Sequence, residues 1–562
     1  MMADSANPLI VQSDRTILLE ADNALYEEAR DAVAGFSEIV KSPEHYHTYR
    51  ITGLSLWNAA AGGMTAESIL EGLRKYSKYE VPSSVEADVV DYVSRYGRLK
   101  LTEKDGRLIL SSNDNVLIAM VWRNERIRPL LEGRIDGNSL EAAPSMRGRL
   151  KKALLELGYP AEDLAGYASG DYLPVDLLET TGRGEPFGLR YYQKRAAEAF
   201  YAGGSAYGGS GTVVLPCGAG KTMVGMGVIS MLKCHTLIIT PGITACRQWK
   251  DELLEKTTLA EDSIGEYSGG KKEIRPVTLT TYQMLTYRPV KVRDEFPHFA
   301  LFNNGNWGLI IYEEVHLLPA PIFRITAELQ SKRRLGLTAT LIREDGREGD
   351  VFSLIGPKKY DAPWKELESQ GWIAEALCHE IRVPMDGENR LEYAMSSDRR
   401  KYRIAAENPE KFNTVKEIVR YHRERQDKIL IIGTYLTQLK EISRLFEAAL
   451  LTGKTSSSAR RDLYSRFRSG KIDILVVSKV ANFAVDLPEA NVAIQISGAF
   501  GSRQEEAQRL GRILRPKKNG SSACFYSVVT GDTRDQDFSA KRQLFLIEQG
   551  YRYKITDSFL PG

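Results

Sequence analysis

One short segment constrains this chain more than any other. An apolar run at 212–215 leads into Pro-Cys-Gly-Ala-Gly-Lys-Thr at 216–222, and a helical pattern follows at 223–233. This order of strand, glycine-rich loop and helix predicts a phosphate-binding loop, because glycines let backbone N–H groups turn toward an anion at the helix N-terminus. Lys221 would face the β- and γ-phosphates, and the Thr222 hydroxyl would ligate magnesium. The strict pattern has its first glycine where this chain has Leu215.

A second Gly-Lys-Thr sequence, at 453–455, serves as an internal comparison. It lacks a glycine two positions earlier and follows a helical pattern. The sequence therefore predicts that this copy is an ordinary loop after a helix.

Composition sets the broad class of protein. A chain of 562 residues, 43% of them hydrophobic and 27% charged, is typical of a soluble protein with three or four domains. The net charge of +3 neither requires nor excludes nucleic acid. The five cysteines show no Cys-x-x-Cys spacing, which argues against a disulfide framework or a zinc site. Neither a signal sequence nor a membrane-spanning run is recognisable, so we expect a soluble intracellular protein.

The rest of the chain after about position 185 alternates short apolar runs with helical patterns. Continuous apolar strands separated by helices predict parallel sheets that are covered on both faces. The runs lie at 236–240, 277–280, 309–312, 334–338, 429–432, 473–477 and 492–496. A charged, less regular region at about 357–412 separates the two series. The predicted fold class is α/β, with two tandem domains at 181–358 and 359–562.

The first 180 residues read differently, as an α+β accessory region with two possible subdomains, 1–50 and 51–180. Helical patterns at 54–61, 65–76 and 83–96 precede a hairpin signal around Asp105-Gly106. Helices followed by a hairpin fit two alternatives equally well. One is a winged helix that binds DNA, and the other is a small α+β accessory domain.

Two further segments carry chemistry only in this context. Glu313 and Glu314 directly follow the apolar run at 309–312, and two acids after a strand are usually a solvated turn. Beside a phosphate loop they become candidates to hold magnesium through water and to orient the attacking water. Arg512 and Arg515 lie three apart in a helical pattern and share a face. Alone they would be a solvated basic surface, but arginines from a facing domain stabilise a γ-phosphate during transfer.

Taken together, these motifs resemble those of superfamily 2 helicases, with two RecA-like domains, and more narrowly the XPB branch. The matching segments are 189–193 (Leu-Arg-Tyr-Tyr-Gln), 218–222, 313–316 (Glu-Glu-Val-His), 338–340 (Thr-Ala-Thr) and 508–515. The branch is indicated by Arg343-Glu344-Asp345 soon after Thr-Ala-Thr and by the sequence from Ser478 to Pro488. The N-terminal region is similar to that of bacterial XPB homologues, so the resemblance covers nearly the whole chain.

The resemblance implies ATP and Mg²⁺ as cofactors and a role for each matching residue. Arg190 and Gln193 would bind the nucleotide, with Gln193 reading adenine. Gly218, Ala219, Gly220, Lys221 and Thr222 would hold the phosphates, and Glu314 would activate water. His316, Thr338, Thr340 and Asp486 would couple the nucleotide site to DNA. Gln508 would lie near the γ-phosphate, Arg512 and Arg515 would be arginine fingers, and Arg343, Glu344 and Asp345 would separate strands.

One residue departs from the family motif, which has aspartate where this chain has Glu313. The extra methylene moves the carboxylate by about one carbon–carbon bond, ~1.5 Å, and magnesium demands near-ideal octahedral geometry. The sequence therefore predicts either an intervening water or slower hydrolysis, and it predicts that aspartate at this position would raise turnover or lower the magnesium requirement.

The resemblance implies an ATP-driven DNA translocase and 3′-to-5′ DNA helicase that acts in DNA repair. Its expected partners are single-stranded and forked DNA and a nuclease, with no membrane, in the cytoplasm and on the nucleoid. Two alternatives stay open: a duplex translocase that does not separate strands, and a nucleotide-gated DNA-binding protein with weak hydrolysis. The basic run Ser331-Lys332-Arg333-Arg334 is read as either a phosphate contact or a solvated turn.

We predict that replacing Arg343, Glu344 and Asp345 together with alanine uncouples the motor from strand separation. Acidic groups repel a phosphate backbone, so they are poor grips but can deflect one strand from the other. ATPase stimulated by single-stranded DNA should stay largely intact, while displacement of a strand from a forked duplex should fall sharply. A parallel loss of both activities would assign the triplet to the motor, and no loss of either would make it a solvated loop.

Overall fold

The structure, a computed structural model, describes residues 6–41, 45–216, 218–289, 296–330, 332–341, 346–362, 364–478, 490–498, 510 and 522–559. The chain divides into two units. The first comprises Met1–Glu38, His45–Leu215 and Gly220–Ala362, and the second comprises Ile39–Glu44, Pro216–Ala219 and Pro363–Gly562. Each of the two units contains one seven-stranded sheet.

The N-terminal part of the first unit starts with a four-stranded sheet of order β1-β2-β4-β3. Its strands are β1 (Leu9–Val11), β2 (Thr16–Glu20), β3 (Glu38–Lys41) and β4 (Tyr46–Arg50). The helices of this part are α1 (Tyr26–Ala34), α2 (Gly53–Ala61), α3 (Ala66–Tyr76) and α4 (Ser83–Arg95). Thr65 caps α3, since its side chain accepts a hydrogen bond from the backbone N–H of Ser68.

A second, five-stranded sheet follows, in the order β7-β8-β6-β5-β9. Its strands are β5 (Leu99–Lys104), β6 (Arg107–Ser111), β7 (Gly133–Arg134), β8 (Ser139–Ala142) and β9 (Ala161–Asp163), with helices α5 (Asn115–Arg123) and α6 (Arg147–Glu156). The predicted hairpin is confirmed, with Asp105 and Gly106 both at positive φ. Because β5 and β6 are inner strands of this sheet, the hairpin is not a free wing, and the α+β accessory domain is the better description. The last strand of the first sheet ends at Arg50 and the first strand of the second sheet begins at Leu99, with α2, α3 and α4 between them. The subdomain boundary at residue 50 stays a prediction.

The seven-stranded sheet of the first unit has the order β12-β13-β11-β14-β15-β10-β16, and every pairing in it is parallel. Its strands are β10 (Ser210–Val214), β11 (Thr236–Thr240), β12 (Ile264–Tyr267), β13 (Val277–Thr281), β14 (Leu309–Glu313), β15 (Arg333–Thr338) and β16 (Lys358–Asp361). Its helices are α7 (Tyr191–Tyr201), α8 (Lys221–Leu232), α9 (Ile243–Lys256), α10 (Tyr282–Leu285), α11 (Leu301–Asn304), α12 (Ala320–Glu328) and α13 (Glu348–Asp350). The apolar runs predicted as parallel strands are confirmed here.

The N-terminal region packs directly against this sheet domain through α6 and α12. A Cβ built on Gly148 of α6 would lie only 2.4 Å from the carbonyl oxygen of Ala327, so the two helices meet backbone to backbone. Beside this contact, buried Lys151 donates to Asp163 at 2.8 Å and to the side chain of Gln330 at 3.0 Å. Burial of the Lys151 ammonium lowers its pKa to about 8. The interface therefore combines close packing with a buried polar contact.

Arg334 at the start of β15 corrects one sequence interpretation. Its side chain is fully buried and donates to the backbone carbonyls of Leu354 and Gln330, each at 2.8 Å. Because this guanidinium is buried and hydrogen-bonded to carbonyls inside the domain, it is not available to bind phosphates. Arg334 is therefore neither a DNA contact nor part of a solvated turn.

The second unit contains a parallel sheet of order β19-β20-β18-β21-β22-β17-β23. Its strands are β17 (Ala376–Val383), β18 (Ile429–Gly433), β19 (Ala449–Leu451), β20 (Ile474–Ser478), β21 (Val492–Gln495), β22 (Ala523–Thr530) and β23 (Tyr553–Thr556). Its helices are α14 (Trp364–Ser369), α15 (Gly387–Met395), α16 (Asp398–Ala406), α17 (Glu410–Arg423), α18 (Leu436–Leu445), α19 (Ser457–Arg468) and α20 (Arg534–Glu548). The predicted fold class, two parallel-sheet domains after an α+β region, is confirmed. No helix within the described ranges is long and apolar enough to span a bilayer.

The second Gly-Lys-Thr copy lies in this unit, and its predicted context was wrong. It follows the edge strand β19 rather than a helix, and the next helix begins only at Ser457. Lys454 is exposed and precedes the N-cap Ser456 of the next helix, whereas Lys221 is itself the first residue of α8. The copy is a surface loop, as its missing glycine indicated.

We predict that Gly148→Ala destabilises the first unit. The added methyl group meets the backbone of Ala327, which cannot move aside as a flexible side chain could, and overpacking typically costs ~1–3 kcal/mol. Thermal and denaturant unfolding should report the loss. Gly137→Ala is the matched control, because nothing lies within 4 Å of a Cβ at that position. Equal stability of the two variants would contradict the close approach of α6 and α12.

Candidate functional site

The phosphate loop has the conformation that its glycines predict. Strand β10 ends at Val214, and helix α8 begins at Lys221, with Gly220 as its N-cap at φ 80°. Gly218 is also at positive φ, 84°. These conformations favour glycine, and the first turn of α8 presents backbone N–H groups that an anion could accept.

Gln193 lies directly against this loop. Its amide is buried, and a Cβ on Gly220 would lie 2.5 Å from its Nε2, so a larger residue at 220 would displace this amide as well as strain the backbone. The Gln193 Oε1 accepts a hydrogen bond from the backbone N–H of Arg190 at 2.9 Å. The Arg190 guanidinium donates to the Tyr192 hydroxyl at 3.0 Å. The structure thus brings two residues predicted to bind the nucleotide to the edge of the loop.

The acid pair follows β14, which β15 separates from β10 in the sheet. Glu314 has a left-handed backbone conformation, φ 49°, which is uncommon for a residue other than glycine and turns the chain sharply after the strand. Its Oε1 lies 3.4 Å from the Lys221 Nζ. The lysine of the phosphate loop and the predicted catalytic acid therefore form an ion pair.

The two acids have opposite electrostatic environments. Burial, and next the charge of Glu314, raise the pKa of Glu313 to about 7. Burial also disfavours the charged form of Glu314, but Lys221 and His316 outweigh it and hold the pKa of Glu314 below its ordinary value. Adjacent carboxylates with separated pKa values are typical of functional sites.

His316 links the acid pair to the end of β15. Its Nδ1 lies 2.7 Å from the Thr338 hydroxyl and 3.4 Å from the Oε2 of Glu314. The Thr338 hydroxyl donates its proton to the carbonyl oxygen of Thr340 at 2.6 Å and accepts from the Thr340 N–H at 3.2 Å. Because that hydroxyl proton is already used, the proton between Thr338 and His316 must belong to Nδ1. The structure therefore joins three of the residues predicted for coupling, His316, Thr338 and Thr340, in one hydrogen-bonded chain.

Sequence reasoning missed the residue that holds Glu313. The indole Nε1 of Trp249, on α9, donates to the Glu313 Oε2 at 3.1 Å. No motif marks Trp249, and 64 positions separate it from Glu313. This contact favours a site adapted to glutamate over one that aspartate would improve, because Trp249 holds the carboxylate at the length of glutamate.

The donor set fits a hard divalent cation. Thr222 stands in the first turn of α8 and Glu313 ends β14, so a hydroxyl and a carboxylate are offered, and Mg²⁺ prefers such oxygen ligands. Burial and the charge of Glu314 raise the pKa of Glu313 although the charge of Lys221 lowers it, so a bound divalent cation would favour the ionised form of this carboxyl. No cluster of three or more metal-ligating side chains occurs in the part of the chain that the structure describes.

Seven predicted site residues lie outside the described residues. They are Arg343, Glu344, Asp345, Asp486, Gln508, Arg512 and Arg515. Their roles stay predictions.

Three protein-family models match the chain. "ERCC3/RAD25/XPB C-terminal helicase" matches residues 367–560, "Type III restriction enzyme, res subunit" matches 186–343, and "Helicase conserved C-terminal domain" matches 9–136. The first model covers most of the second unit, and the second model covers the phosphate loop and the acid pair. These matches agree with the family that the motifs resemble.

Full-length relatives narrow the assignment. The "DNA 3'-5' helicase XPB" of Mycobacterium tuberculosis is 54% identical over 552 residues, which cover 98% of this chain and 98% of that protein. The protein of the same name from Kineococcus radiotolerans is 52% identical and covers 98% and 96%. The "General transcription and DNA repair factor IIH helicase/translocase subunit XPB" of Encephalitozoon cuniculi is 34% identical over 98% of this chain and 83% of that protein. Since relatives at these identities match almost the whole chain, it belongs to the XPB family of superfamily 2 helicases.

Proposed function

We propose that this chain is an ATP-dependent DNA translocase that unwinds duplex DNA in the 3′-to-5′ direction. The observation that carries the proposal is the ion pair between Lys221, at the end of the phosphate loop, and Glu314, at the carboxyl end of β14. This arrangement supplies a cation for phosphates and a carboxylate for water within one site. Membership of the XPB family supports the choice of DNA as the track.

The ion pair implies a switch in the strength of the base. While Lys221 faces Glu314, it helps to keep the pKa of that carboxyl low, so the carboxylate is a weak base. The triphosphate of ATP competes for the lysine, because its charge exceeds that of one carboxylate. Once Lys221 turns to the phosphates, the pKa of Glu314 rises and its oxygens become available to the attacking water. Binding of substrate thus prepares the base.

His316 would couple the position of the Glu314 carboxylate to the end of β15. It contacts both Glu314 and Thr338, so a shift of the carboxylate changes one of its two contacts. Thr338 in turn holds the backbone of Thr340. We propose that this chain of contacts carries the state of the nucleotide toward the DNA-binding surface.

In the proposed site Thr222, and Glu313 through water, would hold a magnesium ion. Such an ion would supply positive charge that offsets the charge developing on the phosphates. Gln508, Arg512 and Arg515 would approach the γ-phosphate from the second sheet domain, and Asp486 would take part in coupling.

Forked DNA is the proposed substrate, with single-stranded DNA as the track. Arg343, Glu344 and Asp345 would meet the junction of such a fork. A nuclease partner, a role in repair and association with the nucleoid belong to the same proposal, and they rest on the family resemblance.

We predict that Lys221→Ala abolishes ATP-driven unwinding while DNA binding without nucleotide persists. Removing one such electrostatic contact typically costs ~10²–10³-fold in rate. Phosphate release and strand displacement would be measured on forked DNA with a 3′ or a 5′ single-stranded tail. Lys454→Ala is the matched control, because it removes an exposed lysine from the same Gly-Lys-Thr sequence. Normal turnover in Lys221→Ala would show that the site is misplaced.

The same assay separates the alternatives. ATPase that DNA stimulates, without displacement from either fork, would indicate a duplex translocase. DNA binding that nucleotide alters, with negligible phosphate release, would indicate a nucleotide-gated binding protein. Displacement only with the 3′ tail is the result that we expect.

We predict that Glu313→Asp raises the magnesium concentration that half-maximal ATPase requires. The shorter side chain retracts the carboxylate by about one carbon–carbon bond, ~1.5 Å, from a position that Trp249 now fixes. ATPase titrated with MgCl₂ at constant ATP would show the change. Higher turnover or a lower magnesium requirement would instead mean that aspartate is the better ligand in this site.

A further inference from the structure

We propose that Trp249 is a positioning residue for Glu313, and that it fixes the carboxylate for the magnesium of a bound nucleotide. This inference rests on the proposed ATPase function. It adds a residue from α9, outside the motifs of the sequence, to the magnesium site. The argument starts from the contact between the indole and the carboxylate.

Trp249 is 1% exposed, and its only polar atom points at Glu313. The Nε1 to Oε2 distance is 3.1 Å. Hydrogen bonds to an ionised acceptor are roughly twice as strong as those between neutral groups. Because the indole occupies Oε2, Oε1 is the oxygen through which the carboxylate can meet a further ligand.

The indole itself is held by the helix that follows the phosphate loop. A Cβ on Gly225 of α8 would lie 2.4 Å from the Cη2 of Trp249, so the ring fits only because position 225 is glycine. Helix α8 also carries Lys221 and Thr222 in its first turn. The ring therefore sets Glu313 relative to the same helix that supplies the other proposed magnesium ligand.

The backbone of Glu313 is held independently of its side chain. The Tyr282 hydroxyl, from α10, donates to the Glu313 carbonyl oxygen at 2.8 Å. With the main chain fixed by Tyr282, the remaining freedom lies in the three χ angles of the glutamate side chain. The hydrogen bond from Trp249 removes most of that freedom, which preorganises the carboxylate.

The hydrogen bond from Trp249 matters because residue 313 is a glutamate. A glutamate has one more rotatable bond than an aspartate, and an unrestrained carboxylate would spread over several rotamers. The donor on Trp249 selects one of them. We infer that Trp249 and Glu313 act as a pair. Without either residue, the other no longer strengthens magnesium binding.

The experiment measures the affinity of a fluorescent ADP analogue with and without Mg²⁺ for the full chain and for Trp249→Phe. Phenylalanine keeps an aromatic ring in the space next to Gly225 but lacks the N–H donor. We expect the enhancement of affinity by Mg²⁺ to fall about tenfold, as loss of a hydrogen bond to a charged group implies. Affinity without Mg²⁺ should stay within about twofold, because the phosphate loop itself is unchanged.

Trp307→Phe is the matched control. Trp307 is also fully buried, and its Nε1 donates to the carbonyl oxygen of Leu301 at 2.8 Å, but it precedes β14 at the opposite end of the strand. This variant removes a comparable indole and a comparable hydrogen bond. We expect it to leave the enhancement by Mg²⁺ intact, whatever it does to thermal stability.

A double-mutant cycle with Glu313→Asp tests the pairing. In the aspartate background, Trp249→Phe should change the enhancement by less than about twofold, because the shorter side chain no longer reaches the indole. Additive effects in the cycle, or an equal loss in Trp307→Phe, would overturn the inference and leave Trp249 a packing residue. Absence of any Mg²⁺ enhancement in the unmodified chain would contradict the proposed function itself.

Discussion

The parallel direction of every strand in the first large sheet is the constraint on which the site depends. Parallel strands place all their carboxyl ends at one edge, and ligands bind at that edge in open α/β sheets. Strand β10 delivers the phosphate loop, β14 delivers the acid pair, and β15 delivers Thr338. Residues more than a hundred positions apart in the chain meet for this reason. An antiparallel sheet of the same strands would scatter them between two edges.

Electrostatics then decides what each residue does at that edge. Glu313 and Glu314 are neighbours of the same type, yet their pKa values move in opposite directions. Lys221 lowers both pKa values, but only Glu314 also has a hydrogen bond from Lys221 and the charge of His316, whereas the charge of Glu314 raises the pKa of Glu313. The site therefore offers one carboxylate suited to a cation and one suited to water. The left-handed backbone at Glu314 belongs to this division, since it turns the second acid away from the direction of the strand.

The sequence predicted those features of the structure that depend on neighbouring residues, and it did not predict those that depend on contacts between distant residues. The strands at 236–240 and 309–312 were predictable because a continuous apolar run is a local pattern. The phosphate loop and acid pair were predictable because each motif is contiguous. The three-residue strand β19 was missed because it is too short to show a period, and the place of the hairpin in a five-stranded sheet depends on strands far along the chain. Trp249 could not be found, since nothing local distinguishes an indole that donates to a carboxylate from one that only packs.

The interface between α6 and α12 has a consequence for how the motor can be dissected. A fragment beginning at about residue 181 would expose the surface of Ala327 and leave Gln330 without Lys151, although both belong to the sheet domain. Arg334 lies next to that surface on β15, whose other end carries Thr338. A truncated protein would therefore have a sheet domain that the truncation itself has damaged. Lower activity of the truncated protein would reflect this damage rather than the contribution of the missing region. Point substitutions in the N-terminal region would test that contribution more directly.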